Sequence, residues 1–253
     1  MSRLVGVLCG VLTHVLFVYT VCGLYVFLEG RPHKPPTGRL WIDFLLCGQF
    51  AVLHSLLLLP SVRSRLSQWI PSAFYGLFFC VVTCGCLLLT FYGWQESSIV
   101  IWQFHGAWGW AMRGLFWGTW GALLYSLHLT GLGYQTGLTP WWHWVCGRKT
   151  PRRTFEPRGL YRWFRHPVYL SFMGLLWFTP TMTLDHAILT GVWTWYIFVG
   201  SYLKDRRLVH YVGEPYQRYQ AEVAGYPGML WGPLARVPQQ NSATSPQLST
   251  VSS

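Results

Sequence analysis

The chain has 253 residues, of which 52% are apolar, 18% aromatic and only 11% charged, with a net charge of +11. Soluble domains carry about 25% charged residues, so this composition excludes an ordinary water-soluble enzyme, a disordered chain and a secreted disulfide scaffold. Basic excess in so apolar a chain is explained by the positive-inside rule and an anionic leaflet, which makes the partner the lipid bilayer and not nucleic acid.

In chain order, Leu4–Leu28 is a long apolar run behind Arg3. A signal peptide has an apolar core of about 7–15 residues and a small-residue cleavage site. This run has neither and is expected to be a retained first span. Leu40–Leu59, Phe74–Tyr92 and Met112–Leu132 each approach the length of about 20 residues that crosses the hydrocarbon. Val168–Leu184 and Ala187–Leu203 are shorter and are separated only by Asp185 and His186, which predicts a tight helical hairpin turning at those two residues. The fold class expected is all-α: a polytopic transmembrane helical bundle of five to six crossings, six being taken for the orientation. Residues 1–230 form one transmembrane domain, with a cytoplasmic cap built from 134–167 and 204–230. Residues 231–253, rich in Ser, Thr and Gln, are expected to be a disordered cytoplasmic tail.

Lys and Arg set the orientation. The 134–167 loop holds Arg148, Lys149, Arg152, Arg153, Arg158, Arg162 and Arg165, whereas 95–111 holds none. With Arg3, Arg63, Arg65 and the five basic residues after Leu203 on the same side, both termini are expected in the cytoplasm. Arg31, Lys34 and Arg39 run against the rule. Cys80, Cys84 and Cys86 match no zinc spacing and have no His or acidic neighbour, so no metal is expected and the thiols read as small hydrophobes. The Trp-rich 102–120 and 141–144 segments read as interfacial belts.

Polar residues concentrate in two stretches, Arg158–Tyr169 and Lys204–Pro227. In the first, Gly159 permits a close turn and Pro167 suits the first turn of the helix that follows. Arg165 and His166 then stand at a helix N-terminus, where backbone N–H groups favour an anion. In the second, Asp205 returns to the same face, and Tyr216, Tyr219 and Val223 share one side of a short helix. Together they suit a cationic ligand with a carboxylate and an aromatic base: Arg165 for the carboxylate, Asp205 for the positive charge, tyrosine rings for the base. His54 and His128 lie deepest in apolar sequence. Such residues are functional suspects, set against the plainer reading of a neutral His bonded to a neighbouring helix. Asp185 and His186 read as caps of the hairpin turn.

Arg165-His166-Pro167-x-Tyr169, an acidic residue after the next apolar hairpin, and Gly213-x-x-Tyr216-x-x-Tyr219-x-x-x-Val223 resemble the integral-membrane methyltransferases. That group includes the isoprenylcysteine carboxyl and phospholipid methyltransferases, with nurim and NnrU-type proteins in the wider family. The run Trp177-x-x-Pro180-Thr181-Met182-Thr183 and the His54-Ser55 pair are most similar to the methanethiol S-methyltransferases. The resemblance covers most of 40–230 and is sharpest over 158–227. It implies S-adenosyl-L-methionine as cofactor, held by Arg165, His166, Pro167, Tyr169, Asp205, Tyr216 and Tyr219. It implies transfer of a methyl group to a small apolar thiol, methanethiol giving dimethyl sulfide, with His166, His54 and Asp205 as catalytic candidates and His54 and His128 meeting the substrate. A bacterial inner membrane goes with that branch. A lipid-borne acceptor, or a nurim-like protein without turnover, are the alternatives the wider family leaves open. Two features depart from the family: Lys204 stands where relatives often have a second acidic residue beside Asp205, and Thr130 stands near a position where thiol-methylating members tend to carry Asp.

Overall fold

The structure is a computed structural model, and it describes residues 2–30, 38–151 and 154–237. Arg31, Lys34, Arg152, Arg153 and residues 238–253 of the expected tail lie outside the described residues.

Helix α1 (Arg3–Glu29) starts at Ser2, whose hydroxyl accepts from the Val5 N–H in the usual N-cap fashion. It is followed by α2 (Leu40–Leu58), a short α3 (Pro60–Leu66) and α4 (Ser72–Gly93). Strand β1 (Val100–Gln103) leads into α5 (Gly106–Thr130), and α6 (Leu132–Gln135) and α7 (Leu138–Val145) form a small elbow. After a 3-10 turn at Gly159–Arg162 come α8 (Pro167–Trp177), β2 (Thr181–Thr183), α9 (Leu184–Val212) and α10 (Glu214–Glu222). The chain is therefore a helical bundle. Helices α1, α2 and α4 are each long and apolar enough to cross a membrane.

Helix α4 packs against α1 and α2, α2 against α9, and α5 against α8. Their shared core includes Leu24 and Phe27 of α1, Cys47 of α2, Phe91 of α4, Leu123 of α5, Leu175 of α8 and Leu189 of α9. Leu8, Leu12, Val15, Val18, Leu45 and Leu89 instead point outward and are exposed. Helices that are apolar on both their packed and their free faces suit a hydrocarbon surround. The elbow docks through small residues: a Cβ on Gly76 would lie 2.5 Å from the Gly137 Cα, and Gly137 itself has φ +80°, so only glycine fits on both sides of this crossing. Trp141 completes the contact by donating its indole N–H to the Gly6 carbonyl at 2.8 Å.

The expected hairpin needs correcting. Helix α8 ends at Trp177 after 11 residues, about 16 Å at 1.5 Å per residue, or about half the hydrocarbon thickness. The chain then runs extended, and β2 pairs antiparallel with β1, Val100 opposite Thr183 and Gln103 opposite Thr181. Pro180 cannot continue a helix, while β-branched Thr181 and Thr183 favour a strand. The turn thus lies at 178–183, and Asp185 and His186 belong to the first turn of α9. Helix α9 then continues unbroken through residues 204–207 to Val212. Helix α5 begins at Gly106, six residues before the expected span. Finally, residues 231–237 of the expected tail fold back onto the bundle: Leu234 and Ala235 are buried, and the Val237 N–H bonds the Gln220 carbonyl at 3.0 Å.

Candidate active site

Two ends of the bundle carry polar residues. The cap end gathers three segments that are far apart in sequence. Backbone bonds lace them together: Arg165 N–H to the Ala224 carbonyl at 2.9 Å, His166 N–H to Gly225 at 3.2 Å, and Gly225 N–H to Leu234 at 2.7 Å. Gly225 is required by this closeness, since a Cβ there would lie 2.7 Å from the Leu234 carbonyl oxygen. Gly159, with φ +53°, makes the turn that brings the preceding loop over the cap.

Asp205 sits at the centre, one polar turn beyond the apolar part of α9, and is 2% exposed. Arg165, equally buried, donates Nε–H to Asp205 Oδ2 at 3.1 Å and places Nη2 at 2.9 Å from the same oxygen. Its remaining reach goes to backbone: Nη1 donates to the carbonyls of Gln220, Val223 and Ala235. The Tyr216 hydroxyl donates to Asp205 Oδ1, and His166 Nε2 lies 3.1 Å from that oxygen. Burial pushes the Asp205 carboxyl up, but His166, Tyr216 and the Arg165 guanidinium outweigh it and hold the group below the usual carboxylate range. Burial likewise pulls the His166 imidazole below its ordinary value, against the opposing pull of Asp205. At neutral pH the cap thus holds a charged Asp205–Arg165 pair beside a neutral His166.

Aromatic rings enclose this pair. The His166 ring stacks on Tyr169 and tilts against Tyr226, each at 5.6 Å between centroids. Lys204 Nζ lies 5.0 Å over the Tyr169 ring, a cation–π distance. Tyr219 donates its hydroxyl to the Tyr161 carbonyl, and Phe155 packs edge-on against both Tyr216 and Tyr219. His166 Nδ1 is buried with no hydrogen-bond partner among the described residues.

Arg165, His166, Pro167, Tyr169, Asp205, Tyr216 and Tyr219 are thus brought into one cluster. His54 belongs to a different one: its Nδ1 lies 2.8 Å from the Tyr196 hydroxyl of α9, which is also 3.1 Å from Ser55 Oγ. His128 is exposed on the last turn of α5, and neither cluster's hydrogen bonds or ring contacts include it among the described residues. Sequence reasoning missed Tyr196, Tyr226, Phe155 and the Leu234–Ala235 strap. Gly225-Tyr226-Pro227 carried a turn signal that could have found Tyr226. The strap acts through carbonyl groups, which every residue has, so its side chains announce nothing.

No family model and no solved structure matches the chain. Among characterised proteins it is similar to methanethiol S-methyltransferase of Pseudomonas sp. (strain GM41(2012)), 29% identical over 95% of this chain and 92% of the relative. It is also similar to nurim of Rattus norvegicus, 25% identical over 70% of each chain. Methanethiol S-methyltransferase of Pseudomonas deceptionensis is 31% identical over 79% of this chain and 75% of its own. With an identity and coverage of that extent, the chain belongs to the methanethiol S-methyltransferase family.

Proposed function

We propose that this protein methylates methanethiol to dimethyl sulfide, using S-adenosyl-L-methionine held in the cap. The observation that carries the reading is the buried Asp205, Arg165 and His166 cluster walled by tyrosines at one end of an apolar helical bundle. The residues present fit this cofactor. A charged carboxylate and electron-rich rings suit a sulfonium, and the orphaned His166 Nδ1 offers a partner for a polar group. Asp205, His166, Pro167, Tyr169, Tyr216 and Tyr219 would hold it, and it would supply a methyl group already activated on positive sulfur.

The residues then have three tasks. Arg165 commits Nε to Asp205 and Nη1 to three carbonyls, so its task is to fix the carboxylate and tie the cap shut. Tyr169 and Tyr226 hold the His166 ring and exclude water, which strengthens every charge inside. The bundle side must deliver a thiol in line with the methyl group, because holding the reacting atoms aligned can supply a large share of the rate in such a transfer. A thiol attacks as its thiolate and is a weak acid, with pKa about 8.5 for an unperturbed cysteine. His166 is sealed against Asp205, so His54 is the better placed acceptor for the thiol proton. Six crossings, cytoplasmic termini and a bacterial inner membrane complete the reading. The basic residues of the cap end support the cytoplasmic termini, and the bacterial relatives support the choice of membrane.

A second reading, a membrane protein that keeps the fold without turnover, is favoured by Lys204, which sets a positive charge over Tyr169 beside the cluster. Membranes from cells expressing the chain, given S-adenosyl-L-methionine and methanethiol, separate the two by headspace gas chromatography. Dimethyl sulfide from the parent and none from His166→Ala or Asp205→Ala is the expected result. Cofactor binding without dimethyl sulfide would move the acceptor to a lipid-borne group, and loss of both would leave the second reading.

A further inference from the structure

Outside the cap cluster, one group of polar side chains links α2 to α9. His54 and Ser55, neighbours on α2, both reach the hydroxyl of Tyr196 on α9. All three are only half-buried, and Leu53, Leu56 and Trp195 beside them are exposed. A polar trio that opens toward hydrocarbon is costly to keep. Helices α2 and α9 do not need it for cohesion, because Phe50 already packs on Trp193 at 5.2 Å in the same contact.

We propose that Tyr196, held between His54 and Ser55, is the positioning residue for the acceptor, a small alkyl thiol. This rests on the thiol methyltransferase reading. Phe50 and Phe79 flank the His54 ring at 5.4 and 5.1 Å, giving an apolar wall suited to an alkyl group. The polar atoms suit the sulfur. A tyrosine hydroxyl offers one proton and two lone pairs, so the Tyr196 oxygen can accept from both the Ser55 O–H and the His54 Nδ1–H while its own proton stays free. Among the described residues His54 Nε2 makes no hydrogen bond, which leaves it open to an S–H group. In the transfer the S–H proton would pass to His54 Nε2 and the Tyr196 O–H would hydrogen-bond the resulting thiolate. The thiolate's electron pair would form the new S–CH3 bond as the methyl–sulfonium bond breaks, that bond's pair leaving with the S-adenosylhomocysteine thioether. Tyr196 itself changes no charge, and His54 later returns the proton to water.

The trio also lies on the helix that carries the cap carboxylate: Tyr196 precedes Asp205 by nine residues on α9, about 14 Å along its axis, so the trio stands on the apolar side of the cap.

The test is steady-state kinetics on the full chain in detergent or proteoliposomes, with methanethiol varied at saturating S-adenosyl-L-methionine and then the reverse. Tyr196→Phe keeps the ring and removes only the hydroxyl. It should raise KM for the thiol about tenfold, the size of one lost hydrogen bond, while the cofactor KM and the melting temperature stay at parent values. Ser55→Ala should show the same pattern more weakly. His54→Gln should lower kcat and flatten its pH dependence. A merely structural link between α2 and α9 predicts instead that Tyr196→Phe lowers the melting temperature and disturbs both substrates alike, and that result overturns the proposal. So does a Tyr196→Phe enzyme with the parent's thiol KM. A parent that binds the cofactor but gives no dimethyl sulfide would instead refute the thiol reading on which the proposal stands.

Discussion

The two ends of the bundle solve the same problem with different chemistry. At the strand end, Asp185 accepts from the Trp94 indole N–H at 3.0 Å and the Ser97 backbone N–H at 3.2 Å, and Asp43 accepts from the Gln95 N–H at 2.9 Å. His186 Nε2 lies 3.0 Å from the Leu176 carbonyl. These are buried acids held by neutral donors, and they fasten the loop after α4 to the start of α9. At the cap end Asp205 is held by a guanidinium, an imidazole and a phenol, and the donors come from segments about 40 and 11 residues away. Neutral donors are enough to latch a loop. A full cation, an unpaired imidazole nitrogen and aromatic walls are more than a latch needs, and this surplus is what supports the proposal of a cofactor site in the cap.

Breaking the cap should have the largest effect. Arg165→Met leaves Asp205 charged and buried without its cation, a change that typically costs about 3–5 kcal/mol. Unfolding in detergent should show a loss of that size, together with loss of turnover. Asp205→Asn keeps the shape and removes the charge. It should abolish cofactor binding with a smaller loss of stability, read by equilibrium binding beside a melt. At the strand end, Asp185→Ala orphans the Trp94 and Ser97 donors and should cost about 1–3 kcal/mol. Cofactor affinity in that variant should remain at the parent value, which is the sharpest contrast between the two ends.

A smaller effect follows from pH. The His166 imidazole titrates below its ordinary value in the folded cap, so the unfolded chain takes up its proton first as pH falls. Stability is therefore complete above about pH 6.5 and declines below it. Asp205, held below the usual carboxylate range, adds stability that is lost only at lower pH, as the medium approaches its folded value. Melting temperature should fall between pH 7.5 and 5.5 in the parent, and His166→Gln should remove most of that slope.

Sequence periodicity and hydropathy located α1, α2 and α4 because their signal is length and apolarity alone. The cap residues were legible for another reason: charged and aromatic groups bordering apolar runs are expensive, so each stands out. What escaped was structure written in groups without such a cost. The apolar run from Val168 to Leu203 hid a short helix and a strand, since the three residues Thr181-Met182-Thr183 are too few to stand out between the apolar residues on either side. Pro180 was the available signal. Tyr196 was hidden because tyrosine is ordinary near a membrane surface, and only the fold pairs it with His54. The Leu234–Ala235 strap was read as tail because the surrounding Pro, Gln and Ser conceal two buried carbonyls that Arg165 and Gly225 require.

The most direct test of the account is equilibrium binding of S-adenosyl-L-methionine to the purified parent, Asp205→Asn and Asp185→Ala side by side. The parent and Asp185→Ala should bind with the same affinity, and Asp205→Asn should not bind. Equal binding by all three, or binding lost with Asp185 and kept without the Asp205 charge, would contradict a cofactor site in the cap.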